Sequence, residues 1–89
     1  MRWFVFVLLS ACSLSQGGAA RFENVDLLGS TIEHEVTQSE ARCAGWCEPR
    51  QDCLGYTFAT SGKNKGRCYL KKAGFRFNPS KGYNSGIKR

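Results

Sequence analysis

Three cysteines, Cys43, Cys47 and Cys53, stand within eleven residues, and Cys68 follows them. Four sulfurs this close together are suited to one of three chemistries: metal ligation, thiol–disulfide exchange, or a pair of bridges. Gaps of three, five and fourteen residues do not follow the short knuckles of structural zinc sites. A thioredoxin-type centre needs C-x-x-C, and Cys43 and Cys47 are one residue too far apart for it. Two structural disulfides are therefore the expectation, with no metal and no cofactor.

The other chemistry-bearing residues are charged. Lys63, Lys65 and Arg67 are spaced by two, and Lys71, Lys72 and Arg76 follow. In an extended hairpin the first three would point to one side, about 7 Å apart. Such a row suits a sulfated or phosphorylated polymer, which binds through counterion release. The plain counter-reading is a solubilising hairpin tip. Catalysis has little support. His34 is the only histidine and stands between Glu33 and Glu35. Glycoside hydrolysis by a pair among Glu33, Glu35, Glu40 and Asp52 would need two carboxylates held across a cleft, for which so small a domain has little room. No serine lies in a G-x-S-x-G turn and no glycine loop precedes a helix. The chain is read as a non-enzyme.

What positions these residues depends first on how much chain folds. The whole is 89 residues, enough for one domain. Met1-Arg2, the apolar run at residues 3–14 and the small residues SQGGAA follow the order of an export signal ending at Ala20. The run is shorter than the roughly 20 apolar residues that span a bilayer. A rival within the same reading is a lipoprotein leader, residues 1–11, with Leu9-Ser10-Ala11-Cys12 as lipobox and a lipid on Cys12. Either way the expected location is secreted or extracytoplasmic, and residues 21–89 form the domain. A domain of that size is marginal without staples, and four exported cysteines read as two of them. Charge is divided along it: residues 21–53 carry seven acids and three bases, residues 54–89 nine bases and no acid. An acid-free stretch of that length points to a polyanionic partner or an acidic surface.

The elements follow from local signals. Residues 21–29 alternate weakly and read as an edge strand or extended arm, and residues 32–36 as a second extended piece. Thr37-Gln38-Ser39-Glu40 fits a capping box, with Thr37 as cap and Glu40 reaching back. The expected helix runs from Gln38 to about Glu48 and ends before Pro49. It is too short to persist alone. Leu54, Tyr56 and Phe58 alternate with small residues, the period of a strand opened by Cys53. SGKNKG reads as a turn, residues 67–73 as the return strand, FRF as a short strand, NPSKG as a loop and residues 83–88 as a closing strand. Trp46, Tyr56, Phe58 and Leu70 are expected in the core; a sugar-stacking role suits Tyr69 and Tyr83 better.

On such a helix Cys43 and Cys47 lie one turn apart on one face. Chain entropy assigns roughly 3.5 and 2.4 kcal/mol to Cys43–Cys68 with Cys47–Cys53, and roughly 2.8 and 3.4 kcal/mol to Cys43–Cys53 with Cys47–Cys68, so it does not choose. The return of the chain at Pro49 brings Cys53 beside Cys47 and favours the nested pairing, with the crossed one as its alternative.

Cys43-x3-Cys47-x5-Cys53-Leu-Gly-Tyr-Thr-Phe, then Cys68-Tyr-Leu-Lys and a closing Ser85-Gly86-Ile87-Lys88, resemble the PAN/apple domain family; Asp26-Leu27 and Gly29 ahead of the helix fit as well. The similarity runs from about Phe22 to Lys88. It implies an α+β fold, a small antiparallel sheet with one helix cross-linked to it by two disulfides. It implies the same nested bridges, no catalytic residues, and binding of proteins or carbohydrates outside the cell, sulfated glycans among them. The expected partner is thus an anionic glycan or an acidic protein surface, held by Lys63, Lys65, Arg67, Lys71, Lys72 and Arg76. Nucleic acid is not expected. A cationic effector acting on anionic membranes and a structural envelope lipoprotein are the readings from other classes.

Overall fold

The computed structural model describes residues 19–88. Cys12 and the rest of the expected leader lie outside those residues, except Ala19 and Ala20, with which the first strand begins. The elements are β1 (Ala19–Leu28), β2 (Thr31–Val36), α1 (Glu40–Cys47), β3 (Gly55–Ala59), β4 (Arg67–Lys71) and β5 (Arg76–Lys88). The five strands form one sheet in the order β1-β5-β3-β4-β2, antiparallel throughout. β1 and β2 are the edges, and Ala19 pairs with Lys88 at one end of the β1–β5 ladder.

Side chains alternate across a strand, and here the alternation divides two faces. Tyr56 and Phe58 of β3 and Cys68 and Leu70 of β4 meet the helix, where Cys43, Cys47 and Cys53 complete a core flanked by Ile32, Ala44 and Trp46. Burying Leu70 fully contributes about 1.5–3 kcal/mol. Both bridges are nested: Cys43–Cys68 ties the helix to β4, and Cys47–Cys53 closes the turn after it, each with Cα atoms 5.4 Å apart. Cys53 precedes β3 instead of opening it, because the ladder starts where Leu54 N donates to Lys71 O at 2.9 Å.

Two expectations are corrected. The helix cap is Ser39, whose hydroxyl accepts from Arg42 N, and not Thr37. The amides of Thr37 and Gln38 both donate to Gly66 O, and Gln38 takes φ 70°, which a helix cannot include. The residues NPSKG are not a loop between two strands. They belong to the 13-residue β5, which carries an irregularity where Asn24 alone faces the residues between Pro79 and Asn84.

That irregularity folds the ribbon over. Asn24 (φ 58°) and Gly82 (φ 91°) sit at the bend, and Asn84 Oδ1 accepts from Asn24 N. Beyond it Leu27 returns across the face opposite the helix, where its amide donates to Thr57 Oγ1 at 3.0 Å and its side chain is fully buried. Phe77 meets Phe22 edge to face, ring centroids 5.0 Å apart. The domain thus has three layers: helix, sheet and folded ribbon.

Candidate functional site

Gly62, at φ 80°, and Gly66, at φ 88°, together with the bonds Lys65 N to Gly62 O and Arg67 N to Asn64 O, make residues 62–67 a coiled turn. Lys63 and Lys65 therefore lie exposed on the β3–β4 turn and do not continue the line of Arg67. The two-residue spacing aligns side chains only in extended backbone, so the expected row of three does not form. Arg67 begins β4, half-buried, and its Nη1 donates to His34 Nδ1 across the edge pair at 3.0 Å.

Lys71 departs most from the expectation. It is 7% exposed, and its Nζ donates to Thr31 Oγ1 at 2.9 Å and lies 6.0 Å from the Tyr69 ring centroid. Burial lowers its pKa, against the opposing field of Asp26. It is a packing residue. Lys72 and Arg76 are exposed, but they stand at the β4–β5 connection, the length of a strand away from Lys63 and Lys65, about 16 Å for five residues. The six cations named from sequence are therefore divided between the two ends of the sheet.

A residue not singled out from sequence joins the first end. Lys81 is exposed in the bend of β5, beside Gly82, whose carbonyl accepts from Thr60 N at 2.7 Å. Among the described residues Lys63, Lys65 and Lys81 take part in no ion pair. The acids all lie between Glu23 and Asp52, and four of them are engaged: Glu23 and Glu40 with Arg21, Glu33 and Asp52 with Arg50. A solvent-facing pair such as Arg21–Glu23 adds little stability, typically about 0–1 kcal/mol. The four pairs act on the surface field: they neutralise Arg21 and Arg50 and leave the lysines of the turn uncompensated.

The same end holds a concavity of about 390 Å³ between the β2–α1 link and the β3–β4 turn. Its walls are Val36, Gln38, Phe58, Ala59 and Thr60, with Lys65 at the side. The bonds from Thr37 N and Gln38 N to Gly66 O, at 2.9 and 3.1 Å, hold the two segments together, and Gly66 N to Ala59 O at 2.8 Å anchors the turn to β3.

Two polar arrangements tie the helix to the sheet. Glu40 accepts from Arg21 Nε and Nη2, Tyr56 OH and Asn84 Nδ2, all within 3.0 Å, so one carboxylate joins β1, β3, β5 and α1. At the other end of the helix, Lys88 Nζ donates to the carbonyls of Cys47, Glu48 and Arg50 at 3.3, 3.1 and 2.8 Å. A cation there satisfies orphan carbonyls and complements the helix dipole. The sequence holds no local signal for either arrangement, since their members stand far apart in the chain.

Trp46 is partly buried against the core, as expected. Tyr69 and Tyr83 are half-buried, and Tyr69 faces His34 with ring centroids 5.6 Å apart.

The PAN domain pattern matches residues 25–71, just over half of the chain. No curated protein matches it. PAN domains are generally non-catalytic modules that bind proteins or carbohydrates, and those with disulfides are typically extracellular. With its cross-linked helix, its antiparallel sheet and that match, this chain belongs to the PAN domain family.

Proposed function

We propose that this chain is an exported, non-catalytic binding module that holds an anionic partner, a sulfated glycan or an acidic protein surface, at the β3–β4 end of its sheet. One observation carries the reading: Lys63, Lys65 and Lys81 are exposed at one end of the fold, with no acid paired to them among the described residues. Uncompensated charge of one sign raises the local concentration of a polyanion and speeds its capture. The two bridges suit an oxidising compartment. The membrane-effector reading has less support. Cys43 and Cys47 of α1 are buried against the sheet, and among the described residues no helix is long and apolar enough to cross a membrane.

The test is retention on a sulfated-polysaccharide matrix at low salt, compared with a neutral matrix. Changing Lys63, Lys65 and Lys81 together to alanine lowers the salt needed for elution, because each lost contact reduces the salt slope by about one. Lys71→Ala leaves it nearly unchanged. Retention no stronger than on the neutral matrix would remove the reading, and dye release from anionic vesicles would favour the effector instead.

A further inference from the structure

We infer that the concavity beside Lys65 receives an apolar side chain of an acidic peptide segment, so that the anionic partner is a protein. The inference rests on the anion-binding reading above and narrows it. Two features meet at one place. The concavity, about 390 Å³, falls within the range of about 300–1,000 Å³ usual for ligand clefts. Its walls are chiefly hydrocarbon: Val36, which is 53% exposed, with parts of Phe58 and Ala59 behind it. Polar groups are few, Gln38 and Thr60 besides the lysine, and the one aromatic residue in the lining, Phe58, leaves little ring surface for a pyranose to stack on. Phe58 is only 7% exposed.

A glycan chain carries hydroxyls on every unit and would leave most of them unpaired against such walls, at a cost for each one buried. A leucine or phenylalanine would leave none. Lys65 lines the concavity, Lys63 lies exposed on the same turn, and Lys81 lies exposed next to Gly82, whose carbonyl accepts from Thr60 N. An apolar anchor surrounded by complementary charge is the usual anatomy of a protein-binding hot spot, in which the anchor contributes affinity and the charges contribute rate and register. The matching ligand is one bulky apolar side chain with carboxylates on both sides.

The test uses the oxidised, ¹⁵N-labelled protein and two capped seven-residue peptides, one with a central phenylalanine flanked by glutamates and one with serine in its place. The phenylalanine peptide is expected to shift the amides of Val36, Gln38, Ala59 and Gly66 and to bind at least tenfold tighter than the serine peptide, the factor that burial of such a side chain supplies. Val36→Ser, at an exposed edge position, abolishes that difference while retention on the sulfated matrix stays as before. Equal binding of the two peptides, or shifts confined to Lys63, Lys65 and Lys81, would overturn the peptide inference and leave the anion-binding reading standing. Pocket shifts produced by a sulfated disaccharide and not by the phenylalanine peptide would overturn it in favour of a glycan.

Discussion

The Tyr56 hydroxyl donates to Glu40 Oε2 at 2.8 Å, tying β3 to the first residue of α1. Burial alone would raise the Glu40 pKa, but the hydrogen bonds from Arg21, Tyr56 and Asn84 outweigh it and hold the carboxyl below the usual range. The unfolded chain takes up this proton near about pH 4.3, the folded chain at a lower pH. The stabilisation is therefore complete above about pH 4.3 and is lost as pH falls through the folded value. Urea unfolding followed from neutral to acid pH checks this: the wild type loses stability on the acid side, and Glu40→Gln shows a flatter decline.

Tyr56 also explains a glycine. A Cβ built on Gly86 would collide with the Tyr56 ring, which crosses directly over it. The ring cannot swing away without breaking its bond to Glu40. Gly86→Ala is expected to cost about 1–3 kcal/mol through overpacking. In a double-mutant cycle with Tyr56→Leu, the two losses should fall short of adding, which thermal unfolding of the four proteins would measure.

The bridges differ in what they constrain. Cys43–Cys68 spans 25 residues and Cys47–Cys53 spans 6. Chain entropy assigns them roughly 3.5 and 2.4 kcal/mol. Replacing both members of the long bridge with alanine lowers Tm further than replacing both members of the short one, by about 4–8 °C for each kcal/mol of difference in a domain of this size.

Lys88 closes the helix from the far end of the sequence. Its three carbonyl bonds are charge-assisted, and Lys88→Met is expected to cost about 1–2 kcal/mol. Loosening should begin locally, so amide exchange at Glu48 and Arg50, which donate to Ala44 O and Cys47 O, accelerates more than exchange at Leu70.

These residues also mark what was legible in the sequence. Tyr56 and Phe58 showed their period, and both lie in β3; Pro49 marked the helix exit, and α1 ends at Cys47. The nested pairing followed from that exit. The cap differs from the expected one because Thr37 and Ser39 are both capping types, and the Thr37 reading rests on Glu40 standing three residues on. The choice between them is made by Gly66 O, which no local rule includes. The row of cations failed for a related reason. Spacing foretold alignment only if the backbone was extended, and the turn through Gly62 and Gly66 is not. Spacing also leaves Lys71 free, because Thr31, which its amine meets, stands forty residues away in the chain.

Pairing of Ala19 with Lys88 has an engineering consequence. The described unit enters and leaves along adjoining strands, one ladder spacing apart, about 4.8 Å. Grafted into a surface loop of an unrelated host, it would need only a narrow doorway and no long spacer. Its lysine-rich tip would then project outward, away from the splice.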